Sequence, residues 1–139
     1  MGVTWKRVVG QINDAVIGKV EKTYNIAFPK DFKECVFQNN GGHPSPNIFY
    51  YKDGGEGVID HLLSFTSDPN IVVIYEFIRD EIPLGIFPFA TDPFGNQICF
   101  DFRKNKEKPT IVFYDHEEVD EYSIIEICDS FSELLDSLH

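Results

Sequence analysis

The sequence predicts an α+β fold, because helical spacing marks the first third, strand alternation the middle, and another helical pattern the end. The clearest strand signal is the stretch 86–101, where two alternating segments rich in phenylalanine flank the turn sequence Asp-Pro-Phe-Gly-Asn. We expect this hairpin to form the centre of the sheet. A chain of 139 residues can build one well-buried core, so a single domain over 1–139 is expected.

Three helices are predicted in the first third of the chain. Apolar residues at i, i+3, i+4 and i+7 predict a first helix over 5–12. A second is expected to run from a cap at Asp14 to Tyr24. A third begins at Pro29, because proline suits the first position of a helix, and it ends at the Asn-Asn-Gly-Gly sequence at 39–42.

The remaining elements are mostly strands. Four are predicted beside the central hairpin, at 48–51, 58–65, 110–115 and 122–127. Asp68-Pro69 marks a helix start, and the spacing of the isoleucines after it favours a helix, although Val72 and Val73 also suit a strand. A capping-box sequence from Ser130 to Glu133 predicts the terminal helix.

The charge balance points to a protein partner. Twelve Lys and Arg against 23 Asp and Glu give a net charge of −11, which argues against nucleic-acid binding and favours a basic partner. Alternatively, the acidic charge serves solubility alone. The residues predicted to contact a partner are an acidic run, Asp115, Glu117, Glu118, Asp120 and Glu121, and a smaller group, Asp53, Glu56 and Asp60. Alternatively, the acidic run belongs to an ordinary solvated loop that contacts no partner.

Catalytic and metal-binding patterns are absent from the sequence. The three cysteines and four histidines form no zinc or catalytic motif, and no glycine-rich phosphate loop is present. Asp92, Asn96 and Asp101 could supply oxygen ligands to Ca²⁺, but turn formation explains the first two better. We therefore predict no enzyme, metal or cofactor. Without a long apolar run or a signal peptide, a cytoplasmic protein that does not enter the membrane is expected.

Three sequence motifs, in order along the chain, resemble the signatures of the SUKH superfamily. EKTYNIAFPKDF at 21–32, followed by NNGG at 39–42, resembles the family pattern E…Y…LP.D…NGG. The stretch 86–101 resembles I.PFA.D..G…..D, and 125–135 resembles the tail I..SF.ELL. There are two departures: Phe28 replaces the usual leucine, and Asn96 stands where many members have aspartate or glycine. The match spans nearly the whole chain.

The resemblance implies helices packed on a mainly antiparallel, curved sheet. It also implies a bacterial immunity protein that binds and neutralises a cognate polymorphic toxin, often a nuclease. The acidic charge balance adds the expectation that this toxin domain is basic. The alternative is a regulatory scaffold similar to the fungal regulator of cell-wall glucan synthesis. The sequence is also compatible with a homodimer. The motif residues expected to be structural are Glu21, Tyr24, Pro29, Asp31, Gly41, Gly42, Asp92, Gly95 and Asp101. Glu21 is expected to accept backbone hydrogen bonds near Gly41 and Gly42.

Overall fold

The computed structural model describes residues 2–139, and the α+β class predicted from the sequence is confirmed. The described chain forms four α-helices, α1 Asp14–Tyr24, α2 Lys30–Asn39, α3 Ile71–Ile78 and α4 Phe131–Ser137. Its strands are β1 Thr4–Lys6, β2 His43–Ser45, β3 Ile48–Tyr50, β4 Glu56–Val58, β5 His61–Leu62, β6 Ile86–Thr91, β7 Gln97–Asp101, β8 Thr110–Tyr114 and β9 Ile124–Cys128. A 3₁₀ helix covers Asp120–Ser123.

The main sheet has five antiparallel strands in the order β5-β6-β7-β8-β9. The predicted hairpin at 86–101 is β6 and β7, and β7 lies in the middle of the sheet. Register shifts between Pro88 and Ala90, and between Ile111 and Val112, bend the paired strands locally. Two smaller sheets are added, one of β1 with β2 and one of β3 with β4.

The core lies where the helices pack on one face of the main sheet. Phe32 of α2 is fully buried, and its ring centroid lies 5.1 Å from that of Phe100, 5.6 Å from Phe89 and 5.3 Å from Phe131. These four rings join α2, β6, β7 and α4, so aromatic packing fixes the helices against the central hairpin. The opposite face is covered in part by the segment after α3, where Glu81 accepts a hydrogen bond from the hydroxyl of Tyr114.

The predicted helix over 5–12 is wrong, and strand β1 takes its place. Trp5 pairs with Pro44 of β2, a strand that was not predicted. Arg7 has φ of 52°, which ends the strand and excludes a helix there. An eight-residue helix is marginal by itself, whereas the strand finds backbone partners in the chain after α2. Beyond the strand, the N–H of Val9 donates to the carbonyl of Asn40 at 2.9 Å.

The strand predicted at 58–65 divides between two sheets. Its first residue ends β4, which pairs with β3, while β5 pairs with β6 of the main sheet. The N–H groups of Asp60 and Leu63 donate to the carbonyls of Thr91 and Phe89, so the chain leaves the hairpin because the main sheet offers it partners. The helix after Pro69 is confirmed, and its cap is Asn70, whose Oδ1 accepts the N–H of Val72 at 2.9 Å.

Among residues 2–139, no helix has both the length and the apolar character needed to cross a bilayer.

Candidate functional site

The acidic loop, residues 115–122, connects β8 to β9 and stands out from the sheet. Four of its five carboxylates are exposed, and Asp115 is half-buried. Asp115 shapes the loop because its Oδ1 accepts the N–H of Glu117 at 3.0 Å and its carbonyl accepts that of Glu118 at 3.2 Å. Within the described chain, none of the five forms a salt bridge. Their negative charge is therefore free to act on a partner.

Two large apolar side chains project from the acidic loop beside the carboxylates. Val119 and Tyr122 are each 69% exposed. Phe94, at the tip of the turn between β6 and β7, is 71% exposed. Aromatic side chains such as those of Phe94 and Tyr122 are enriched in the cores of protein–protein interfaces. The sequence interpretation missed all three, because exposure of an isolated aromatic residue depends on the packing of neighbouring elements.

A network of hydrogen bonds fastens the acidic loop to the turn between β6 and β7. Asp92 Oδ1 accepts the N–H groups of Phe94 and Asn96, each at 2.8 Å. Asn96 Oδ1 then accepts the backbone N–H of His116 at 3.1 Å. Gly95 has φ of +91°, and a Cβ there would lie 3.1 Å from Nε2 of His116, so the turn requires glycine. Two of the motif residues, Asp92 and Gly95, thus position the acidic loop.

Asp53 of the smaller acidic group lies beside the acidic loop. It lines one surface pocket together with Glu121 and Tyr122. Burial, and then the charges of Asp92, Asp115 and Asp53, raise the pKa of Tyr51. We use the term acidic face for the acidic loop together with Asp53 and Phe94.

The other two residues of the smaller group have partners of their own. Glu56 Oε2 lies 2.7 Å from Nε2 of His139, and Asp60 Oδ2 lies 2.7 Å from Nδ1 of His61. The structure therefore brings only Asp53 of this group together with the acidic loop. Tyr114, the last residue of β8, is buried in the sheet and adds no exposed ring to the acidic face.

The motif residues of the first third make internal contacts. Glu21 Oε2 accepts the N–H of Phe28 at 2.7 Å and lies 3.8 Å from Nζ of Lys33. The backbone hydrogen bond of Glu21 therefore lies just before α2, whereas we expected it after α2, near Gly41 and Gly42. Asp31 Oδ2 accepts both the N–H and the hydroxyl of Ser132, at 2.9 and 2.8 Å, and so joins α2 to α4.

Tyr24 and the glycine pair also lie at junctions between elements. The hydroxyl of Tyr24 donates to Glu76 at 2.6 Å, and burial followed by this hydrogen bond raises the pKa of Tyr24 to about 12. Gly41 has φ of +70°, and a Cβ there would lie 2.5 Å from Val9. Gly42 also leaves no space for a side chain, because a Cβ added there would lie 3.0 Å from the carbonyl oxygen of Asn39. Pro29 is the N-terminal cap residue of α2.

Asp101 forms a two-point ion pair with Arg103. Its Oδ1 accepts Nε–H at 3.0 Å and its Oδ2 accepts Nη2–H at 2.9 Å. Burial raises the pKa of Asp101, but the hydrogen bonds and charge of Arg103 outweigh burial, so its pKa lies below the ordinary value of 3.8. The carboxylates of Asp101 and Asp92, two of the three residues considered as Ca²⁺ ligands, thus accept hydrogen bonds from Arg103 and from Asn96.

We expect Asp101→Asn to lower the free energy of unfolding by about 1–3 kcal/mol at pH 7. Because the folded-state pKa is depressed, this stabilisation exists above pH 3.8 and is lost as the pH falls through the folded pKa. Urea unfolding of both proteins at pH 7 and pH 3 would measure the effect, and the difference between them should shrink at pH 3. Asp129→Asn, which breaks an exposed pair with Lys52, is the control. An equal difference at both pH values would contradict the prediction.

The three thiols are poor nucleophiles. Burial raises the pKa of Cys35 to about 11 and that of Cys128 to about 12, and it raises the pKa of the fully buried Cys99 as well. All three are protonated at neutral pH, and a protonated thiol is unreactive.

Among residues 2–139, two groups of side chains bring possible metal-ligand atoms within 4.8 Å of one another. One is His43, Asp60 and His61, all half-buried. The other is Asp115, His116 and Glu117 in the acidic loop, where His116 and Glu117 are exposed. The sequence interpretation missed the first group because His43 lies far from the other two in the chain. The adjacent Asp60-His61 pair was the available signal.

Comparison with known families identifies a model that matches most of the chain. The family model SUKH_6, described as SMI1-KNR4 cell-wall, matches residues 14–135. This span contains all three sequence motifs and the whole acidic face. No curated protein gives a significant match to the chain.

Proposed function

Because this chain belongs to the SUKH superfamily, within its SMI1-KNR4 cell-wall family, we propose that it is an immunity protein that binds and neutralises a cognate toxin. The toxin domain is basic and of the nuclease type. The observation that carries this proposal is the acidic face, which combines exposed carboxylates that form no salt bridge within the described chain with the exposed side chains of Phe94, Val119 and Tyr122.

The two kinds of side chain on the acidic face have different tasks in binding. The carboxylates attract and orient a basic partner, and this raises the association rate. The three apolar side chains bury area once contact is made, which slows dissociation. The hydrogen bonds from Asp92 through Asn96 to His116 hold the acidic loop in place before binding, so little conformational entropy is lost in forming the complex.

Neutralisation needs no chemistry from this protein. A nuclease binds the phosphate backbone through lysine and arginine side chains, so its substrate groove is cationic. A protein of net charge −11 that covers this groove with carboxylates competes with the nucleic acid for the same cations. Inhibition then follows from occupancy of the groove.

We expect the double substitution Glu117→Lys/Glu118→Lys to slow association with the toxin by about tenfold or more, mainly through the on-rate. Both side chains are exposed, and within the described chain neither forms a salt bridge, so folding should be unaffected. Surface plasmon resonance at low and at physiological salt would measure the on-rate. The difference between the variant and the original protein should diminish as salt screens the charges.

The matched control is Glu34→Lys/Glu107→Lys, which changes the net charge equally at another surface. Glu107 and Lys30 line one pocket next to the start of β8, and Glu34 lies 3.8 Å from Lys30. The acidic loop follows the other end of β8. If both double variants slow association equally, net charge alone steers the toxin. An unchanged on-rate for the 117/118 variant would exclude the acidic loop from steering.

The second candidate function is a regulatory scaffold, which the description of the matched family as cell-wall favours. Capture of partners with tagged protein from native cells, washed at low and high salt, separates the two functions. An immunity protein should retain one basic module that arrests growth when expressed alone, and co-expression should restore growth. A scaffold should retain several cellular proteins, none of which is toxic.

A further inference from the structure

A cluster of two histidines and a carboxylate lies outside the acidic face. It consists of His43 of β2, His61 of β5 and Asp60, whose possible ligand atoms all lie within 4.8 Å of one another. The ring centroids of His43 and His61 are 4.9 Å apart, and Asp60 Oδ2 lies 2.7 Å from Nδ1 of His61. We name these three residues the His-Asp cluster.

Backbone hydrogen bonds and strand pairing fix the positions of the three residues of the cluster. His43 follows Gly42, whose carbonyl accepts the N–H of Leu62 at 2.9 Å, so β2 and β5 lie side by side. The N–H of Asp60 donates to the carbonyl of Thr91 at 2.8 Å, and His61 pairs with Thr91 in the main sheet. The cluster therefore lies at the junction of two sheets, with His43 and His61 on strands and Asp60 held beside them by a backbone hydrogen bond.

We propose that His43, Asp60 and His61 form a binding site for a divalent transition-metal ion of the zinc class. Imidazole nitrogen and carboxylate oxygen are ligands that Zn²⁺ accepts. Ligand atoms around a tetrahedral Zn²⁺ are about 3.4 Å apart, so side chains within 4.8 Å need to move by about 1 Å. Three protein ligands leave a fourth position for water or for a donor from a partner.

An unsatisfied polar atom supports this assignment independently. Nε2 of His61 is buried and has no hydrogen-bond partner among residues 2–139. Such a group calls for an explanation, and a bound ion is one of the common ones.

The test is zinc binding by the full chain. Protein freed of metal by a chelator is titrated with zinc chloride in a non-coordinating buffer and followed by calorimetry. We expect one ion per chain with micromolar or tighter affinity. His43→Ala, His61→Ala and Asp60→Asn should each weaken binding by at least about tenfold. Saturating zinc should raise the melting temperature of the original protein and leave that of the variants nearly unchanged.

Two sets of control variants test whether loss of zinc binding comes from unfolding and whether binding is specific to the cluster. His43→Gln and His61→Gln preserve side-chain volume, and their melting temperatures without zinc show whether the fold is intact. His116→Ala and His139→Ala remove exposed histidines and should bind zinc as the original protein does. Absence of binding, binding that survives the cluster substitutions, or loss of binding in His116→Ala would each overturn the proposal. The proposed toxin neutralisation does not depend on any of these outcomes.

Discussion

Replacing Phe32 by alanine is expected to lower the free energy of unfolding by about 3–5 kcal/mol. The ring is fully buried, and rings from β6, β7 and α4 surround it at centroid distances of 5.1 to 5.6 Å. Truncation removes the transfer free energy of the ring and leaves a cavity that three separate elements would have to close together. Aromatic edge-to-face contacts, such as that with Phe131 at 86°, are lost as well.

Equilibrium urea unfolding would measure this loss, with the midpoint shifted to lower urea and the slope nearly unchanged. Phe77→Ala is the matched control, because it is the same chemical change at a side chain that is 82% exposed on α3. We expect the control to lie within about 0.5 kcal/mol of the original protein. Similar losses for both variants would show that the ring of Phe32 is not part of a tightly packed core.

The central hairpin and the helices α1 to α4 could be predicted because their signals are local. Alternating apolar residues and a turn sequence between them specify β6 and β7 within one short stretch. The cap of a helix likewise lies next to the helix it begins, as Ser130 does before α4, where its hydroxyl accepts the N–H of Glu133. Such signals do not require knowledge of a distant partner.

Strand β1 could not be predicted for the opposite reason. Its residues are spaced as in a helix, and only pairing with β2 decides their conformation. The division of 58–65 between two sheets has the same origin, because β6 supplies the second set of backbone partners. Local preference is a weak guide where the backbone hydrogen bonds come from distant parts of the chain.

The candidate site shows the same division between local and distant information. The carboxylates of the acidic loop are visible in sequence as a run. Their association with Asp53 and the exposure of Phe94 depend on how three hairpins pack together. His43 approaches His61 only because β2 and β5 lie side by side. The residues of the acidic face and of the His-Asp cluster are therefore brought together by the packing of the sheets and not by any one sequence motif.

Replacing Asp92 by alanine is expected to lower the free energy of unfolding by about 2–4 kcal/mol and to loosen the acidic loop. Asp92 accepts three hydrogen bonds, from the backbone N–H groups of Phe94 and Asn96 and from the side-chain amide of Asn96. Its removal leaves buried donors without an acceptor. It also removes the contact that orients the Asn96 side chain. Asn96 Oδ1 accepts the backbone N–H of His116 and lies within hydrogen-bond distance of its Nδ1, which fixes the start of the acidic loop.

Asp92→Asn provides the matched control, because it keeps an acceptor for the two backbone N–H groups and loses only the charge and the contact to the side-chain amide. We expect it to show about half the loss in stability. Hydrogen exchange at the amides of Asn96 and His116 should quicken most in Asp92→Ala, and toxin association should slow because the loop is no longer held ready. If exchange quickens at the turn but not at His116, the acidic loop is held by other contacts, and the motif residue Asp92 stabilises the hairpin alone.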